Sequence, residues 1–217
     1  MQPPDYWKFV DAVHAALARL PVPEMRAVRL EVSGSLARGE LSPPYSDLDL
    51  LLIAPRARGA AVRDQVPAVA RAADPGLLGI FVDPLHPEAC FCSIYRGPFK
   101  VDWWVYEELD LSSRVPVWRG DGPPPYDWTS HSWDWLWWLW GKARRGKDEV
   151  VVHELPRLWQ FLAINGADSH ALPARLPATL ATRLQLDLLR RTMHLLPDQD
   201  GPLGREIRRA IEQDDTT

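Results

Sequence analysis

Residues 32 to 53 read VSGSLARGELSPPYSDLDLLLI, a short Gly-Ser turn with an arginine behind it, then two aspartates at the head of an apolar run. The run SDLDLLLI has the length and composition of a buried strand, and alternation along a strand sends the side chains of Asp47 and Asp49 to the same face. Their Cα atoms then stand about 7 Å apart. Two carboxylates side by side repel unless a cation answers them, and hard oxygen ligands at this spacing suit one or two Mg²⁺ ions of a phosphoryl-transfer site. Upstream, Gly34 and Ser35 close one strand and open a short helix, so that backbone N–H groups and a hydroxyl face whatever the ions hold. A surface turn followed by two capping aspartates is the plain alternative, but burying two same-face acids without a ligand is costly.

Working outward, residues 5 to 20 place Phe9, Val10, Val13, Ala16, Leu17 and Leu20 on one stripe of an amphipathic helix that Pro21 and Pro23 end. His14 on it has no second ligand at helical spacing and reads as an ordinary histidine. Residues 26 to 33 alternate as a first strand and Asp47 to Ala54 form the second. A helix spans 59 to 73, kinked or shortened at Pro67. Strand-like segments then follow: LLGIFVD from Leu77, CFCSIY, and FKVDWWVYE after the turn Arg96-Gly97-Pro98. In the last of these, Phe99, Val101, Trp103 and Val105 share one face while Lys100, Asp102, Trp104 and Tyr106 share the other. Asp102, between valine and tryptophan, needs an ion or a paired base. Glu107 and Glu108 are expected past the strand end, in solvent.

The proline-rich run RGDGPPPYDWTS, residues 119 to 130, is the expected domain boundary, dividing the chain into 1–122 and 128–217. Beyond it the periodicity is helical: Ser132 as N-cap of a helix to about Arg145, then 150–164, 177–196 and 203–213, joined by short breaks as in a bundle. The run WDWLWWLW is apolar on most of its circumference and reads as core, with base or sugar stacking as the alternative for one ring. Lys142 and Arg145 in KARRGK sit where basic residues complement a helix C-terminus.

With 217 residues, 46% of them hydrophobic, the chain holds one substantial core or two small ones. A formal charge of −4 gives no basic field for nucleic acid, which disfavours polymerase-like or RNA-modifying roles. The Trp135–Trp140 run is far short of a membrane span and no charged and apolar leader opens the chain, so the expected compartment is the cytoplasm. Cys90 and Cys92, the two cysteines, are expected reduced and buried in a strand.

The order GSLARG, six residues, SDLDLLL resembles the signature of the nucleotidyltransferase superfamily of the DNA polymerase β type, and more narrowly the small bacterial enzymes that adenylylate aminoglycosides and lincosamides and confer antibiotic resistance. The resemblance implies an α+β fold, a mixed-sheet nucleotidyltransferase core with an N-terminal helix, followed by a C-terminal helical bundle. It also implies a third carboxylate on a strand neighbouring the first two, at Asp102, as metal ligand, general base or both. Asp47, Asp49 and Asp102 would then hold two Mg²⁺ ions. Gly34 and Ser35 would hold the phosphates of ATP or another NTP. Arg38 would either neutralise developing charge or pair with Glu40, and Lys142 or Arg145 of the helical domain would reach the triphosphate. The acceptor implied is a hydroxyl of a small molecule. Acids at Glu107, Glu108, Asp110, Asp121, Asp127 and Asp134, read as a negative rim, lean it towards an amine-bearing compound. A protein-modifying or antitoxin-type nucleotidyltransferase, with a protein partner, and a non-catalytic binding module are the alternatives.

Overall fold

Asp5 opens the first helix by accepting a hydrogen bond from the Lys8 N–H, and the helix, α1 (Tyr6–Arg19), buries the expected stripe of Phe9, Val10, Val13, Ala16 and Leu17. The computed structural model describes residues 5–82, 90–110, 113–117, 127–167, 172–173 and 175–214. After α1, Pro23–Ala27 form a 3₁₀ turn with the proline at its start, so β1 (Arg29–Ser33) begins three residues later than the alternation suggests. Then come α2 (Gly34–Arg38), β2 (Leu48–Ala54), α3 (Gly59–Ala73), β3 (Leu77–Val82), β4 (Cys90–Tyr95), β5 (Phe99–Glu108) and β6 (Arg114–Pro116). Pro67 lies within α3, which runs on past it.

The sheet has the order β1-β2-β5-β4-β3, with β6 paired to the end of β5. It is mixed: β1 and β2 are antiparallel, β2 and β5 parallel, and β5, β4 and β3 antiparallel in turn. Alternation then decides the layers. Leu48, Leu50 and Leu52 of β2 and Val101, Trp103 and Val105 of β5 join α1 and α3 in one buried core. Phe9 meets Tyr95 and Phe99 edge-on at 4.9 and 5.1 Å between ring centres. Buried polar tips in this core have partners: Tyr6 Oη donates to the Ser46 carbonyl at 2.9 Å, Tyr95 Oη to that of Ala70 at 3.0 Å, and Trp103 Nε1 to Ser93 Oγ at 2.7 Å. Residues of odd number in β2 and even number in β5 are left for the opposite face.

The chain divides into two compact units, Gln2–Tyr126 and Asp127–Thr217. The proline-rich boundary segment lies largely outside the described residues. In the second unit α4 (Trp128–Arg144) is the helix on which α5 (Asp148–Ile164), α6 (Thr182–Met193) and α7 (Pro202–Asp214) pack. Its N-cap is Asp127, whose carboxylate accepts the Ser130 N–H at 3.0 Å. Ser132, expected in that role, is buried one turn further in and donates to the Trp128 carbonyl. The tryptophans serve the interior while their N–H groups tie elements together: Trp133 Nε1 to the Pro197 carbonyl at 2.7 Å, Trp140 Nε1 to Asp214 Oδ2 at 2.8 Å, and Trp159 Nε1 to Thr192 Oγ1 at 2.7 Å. α6 is shorter at both ends than the expected 177–196. Gln185 Nε2 reaches back to the Leu180 carbonyl, and Gln199 Nε2 bonds the Met193 and Leu196 carbonyls at 2.7 Å each, satisfying helix-end acceptors that a further turn would have used. No described helix is long and apolar enough to cross a membrane. The α+β class, a mixed sheet behind an N-terminal helix with helices after it, is the one expected.

Candidate active site

Three strand ends and one turn build the site. β1 ends at Ser33, and the chain turns at Gly34 with φ +64°, a left-handed conformation that a side chain disfavours. Gly39, also left-handed at φ +70°, closes α2. Ser33 lies opposite Asp49 in the β1–β2 register, Asp49 opposite Asp102 in the β2–β5 register, and Asp102 opposite Cys92 in the β5–β4 register. One row across four strands therefore reads Ser33, Asp49, Asp102, Cys92. Gly34 is packed against this row: a Cβ placed there would stand 2.7 Å from Asp49 Cγ and overlap its Oδ2. The absent side chain is what lets the turn approach the acid. Ser35 is half-buried in the first turn of α2. β2 begins at Leu48, so Asp47 precedes the strand, yet its charge acts on Asp49.

The electrostatics follow from this crowding. Burial first, then the charges of Asp102 and Asp47, push the Asp49 carboxyl up to about 6, against the smaller opposing pull of Lys100 and Arg38. Lys100 is the member of the site that the sequence reading passed over. Its ammonium lies 3.5 Å from Asp102 Oδ1 and 4.0 Å from Asp47 Oδ2, on a side chain only 10% exposed. The sequence places Lys100 and Asp102 two apart on one face of an alternating strand, but Asp47 joins them only through the fold. Cys92, buried as expected, donates its thiol to Asp102 Oδ1 at 3.0 Å. The side chain of Cys90 is outside the described ones.

Arg38 pairs with Glu40 at 2.7 Å, with both side chains mostly in solvent. In the helical unit Lys142 lies over the Trp138 ring, 4.7 Å from its centre, and Arg145 Nε returns to the Gly141 carbonyl at 3.0 Å, within its own helix end. Glu107 is a correction. It is inside β5, and its carboxylate accepts the Ala57 N–H at 2.7 Å and the Gly59 N–H at 3.0 Å, capping α3. The acids expected as a negative rim have local partners or differ in exposure. Glu108 pairs with Arg29, Asp110 accepts the Ser113 N–H, Asp127 caps α4, and Asp134 is buried at 5% exposure. Asp121 lies outside the described residues.

Three carboxylates on neighbouring elements, one of them raised by burial and by the other two, are of the donor type a hard divalent cation takes. Among the described residues no group of three His, Cys, Asp or Glu is already drawn together as a metal site. Lys100 stands between two of the acids. The donors thus fit a divalent ion in kind, with an ammonium already in their midst.

No family model matches the sequence, and no curated protein does. Among solved structures, similarity is found to the STING-associated CdnE c-di-GMP synthase from Capnocytophaga granulosa, 12% identical with a TM-score of 0.31 over 97% of this chain and 79% of that one. The CdnE c-UMP-AMP synthase of Rhodothermus marinus, with Apcpp and Upnpp, is 11% identical at 0.31, with 99% and 93% covered. The CD-NTase CdnG of Bradyrhizobium diazoefficiens, in complex with GTP, is 13% identical at 0.35, with 99% and 96% covered. With scores this low, the likeness adds nothing to what the site's own geometry says.

Proposed function

We propose that this chain is a nucleotidyltransferase, moving a nucleoside monophosphate, AMP from ATP in the first instance, to a hydroxyl of a small molecule. The observation that carries the reading is the Asp49–Asp102 pair, placed side by side on parallel strands with the Gly34 turn packed against it. Like charges are brought together at a cost only where a ligand answers them. Asp47, Asp49 and Asp102 would hold one or two Mg²⁺ ions, which when bound would neutralise phosphate charge at the reacting centre.

The chain's own groups account for the rest. Gly34 and Ser35 border the carboxylates and hold the outer phosphates, leaving the α-phosphorus open. The acceptor oxygen attacks that phosphorus in line, the bond to the α–β bridging oxygen breaks, and pyrophosphate leaves with the electron pair. The hydroxyl proton passes to a carboxylate of the set, Asp102 in this reading, whose position the Cys92 thiol fixes. Positioning and electrostatics supply the rate.

The acceptor class we propose is polyhydroxylated, with aminoglycosides and lincosamides as first members to try. The test is pyrophosphate release with Mg²⁺, each of the four NTPs and a panel of such compounds, with one arm lacking acceptor and another offering purified proteins. Release that depends on a small hydroxylated compound and disappears in Asp49→Asn and Asp102→Asn is the expected result. Release unaffected by both substitutions overturns the site, and labelling of protein alone overturns the acceptor.

A further inference from the structure

Lys100 sits beside two of the carboxylates that the proposed function gives to a metal ion. It leaves β5 on the same face as Asp102, and its ammonium is 3.5 Å from Asp102 Oδ1 and 4.0 Å from Asp47 Oδ2. The ammonium is thus within ion-pairing reach of both carboxylates at once. The side chain is 10% exposed, on the central strand of the sheet. A positive charge at such range opposes the entry of a second cation to the same oxygens.

We infer that Lys100 is a resident cation that competes with divalent metal for Asp47 and Asp102: its ammonium holds the carboxylates in the metal-free protein, and an ion binds only by displacing it. The identity of that ion rests on the nucleotidyltransferase reading. The arrangement makes the site cheap to keep empty and raises the metal concentration needed to fill it, so that occupancy follows the arrival of a ligand bringing further anionic oxygens.

The experiment is a titration of chelator-stripped protein with Mn²⁺, free ion read by electron paramagnetic resonance, alongside melting curves with and without the ion. Lys100→Met removes the charge and keeps the length. Its Mn²⁺ affinity is expected to rise about tenfold over wild type, its metal-free melting temperature to fall, and its gain in melting temperature on adding Mn²⁺ to exceed that of wild type. Lys100→Arg, which keeps the charge, is expected to bind Mn²⁺ as weakly as wild type. Unchanged or weaker Mn²⁺ binding in Lys100→Met overturns the inference. Should that variant not fold, ¹⁵N-labelled lysine in the wild-type protein gives the reading: a Lys100 ammonium resonance that moves on adding Mg²⁺ supports displacement, and one that does not overturns it. Wild type that binds no Mn²⁺ overturns the inference and the metal-dependent reading together. Absence of pyrophosphate release while Mn²⁺ binding follows the Lys100 pattern overturns the proposed function alone.

Discussion

At Gly34 two demands meet, a left-handed backbone and an empty place beside the Asp49 carboxylate. Gly34→Ala should therefore cost about 2 kcal/mol or more in urea unfolding, the sum of backbone strain and a displaced acid. Measured in an Asp49→Ala background the cost should shrink, because the collision is gone and only the strain remains. Equal costs in the two backgrounds would separate the turn from the acid. Asp49 itself gives a pH signature. Its carboxyl, ordinarily at 3.8, is held at about 6, so the folded protein binds this proton more tightly than the unfolded chain. Its contribution to stability is complete below pH ~4 and is lost as pH rises through ~6. In the presence of a chelator, wild type and Asp49→Asn should match near pH 4, and by pH 8 wild type should be the less stable by about 1–2 kcal/mol, solvent screening having reduced the full value. A difference that stays level from pH 4 to 8 would mean the carboxylate is not strained by its neighbours. These residues were readable in the sequence because a Gly-Ser turn and spaced aspartates have few other uses. Lys100 was not, because a lysine two positions from an aspartate is commonplace until a second strand brings Asp47 to its other side.

Among the elements, β5 works for more than the site. Its end carries Glu107, which supplies the side-chain cap that α3 lacks from its own N-cap residue, Arg58. Glu107→Gln presents an amide N–H to one of the two donors and should destabilise the protein by about 1–2 kcal/mol, leaving nucleotide KM where it was. A changed KM with unchanged stability would return Glu107 to the site. The periodicity of β5 was plain, and so were its two faces. The cap was hidden because Ala57 and Gly59 lie far from Glu107 in the chain, and only the parallel pairing of β2 with β5 carries the end of one strand to the start of the helix after the other. Helix ends were misplaced for a similar reason. Periodicity locates a helix's apolar middle, whereas its last turn is set by side chains such as Asp127 and Gln199 that take up loose backbone groups.

Over the whole molecule, the class was legible because alternation before the proline-rich segment and helical spacing after it are separate patterns. Strand order was not, since nothing local says that β2 pairs with β5 across α3, β3 and β4. Nor was the fate of the scattered acids, which a net charge of −4 cannot tell apart from a binding rim. That same long-range pairing has a consequence for how the chain acquires its structure. β1 and β2 meet through a short connection and β4 and β5 through a tight turn, whereas β2 must find β5 only after the whole intervening length has been closed, with the loop entropy that entails. Repulsion between Asp49 and Asp102 arises only on that pairing, and we expect it to be felt after the rate-limiting crossing. Asp49→Asn should slow unfolding at neutral pH in chelator and leave refolding nearly unchanged, a φ-value close to zero in stopped-flow chevrons. A faster refolding limb would place the union of the two hairpins at the barrier itself. On the expected result, the conflict of charges does not delay the search for the native state; it shortens the lifetime of that state.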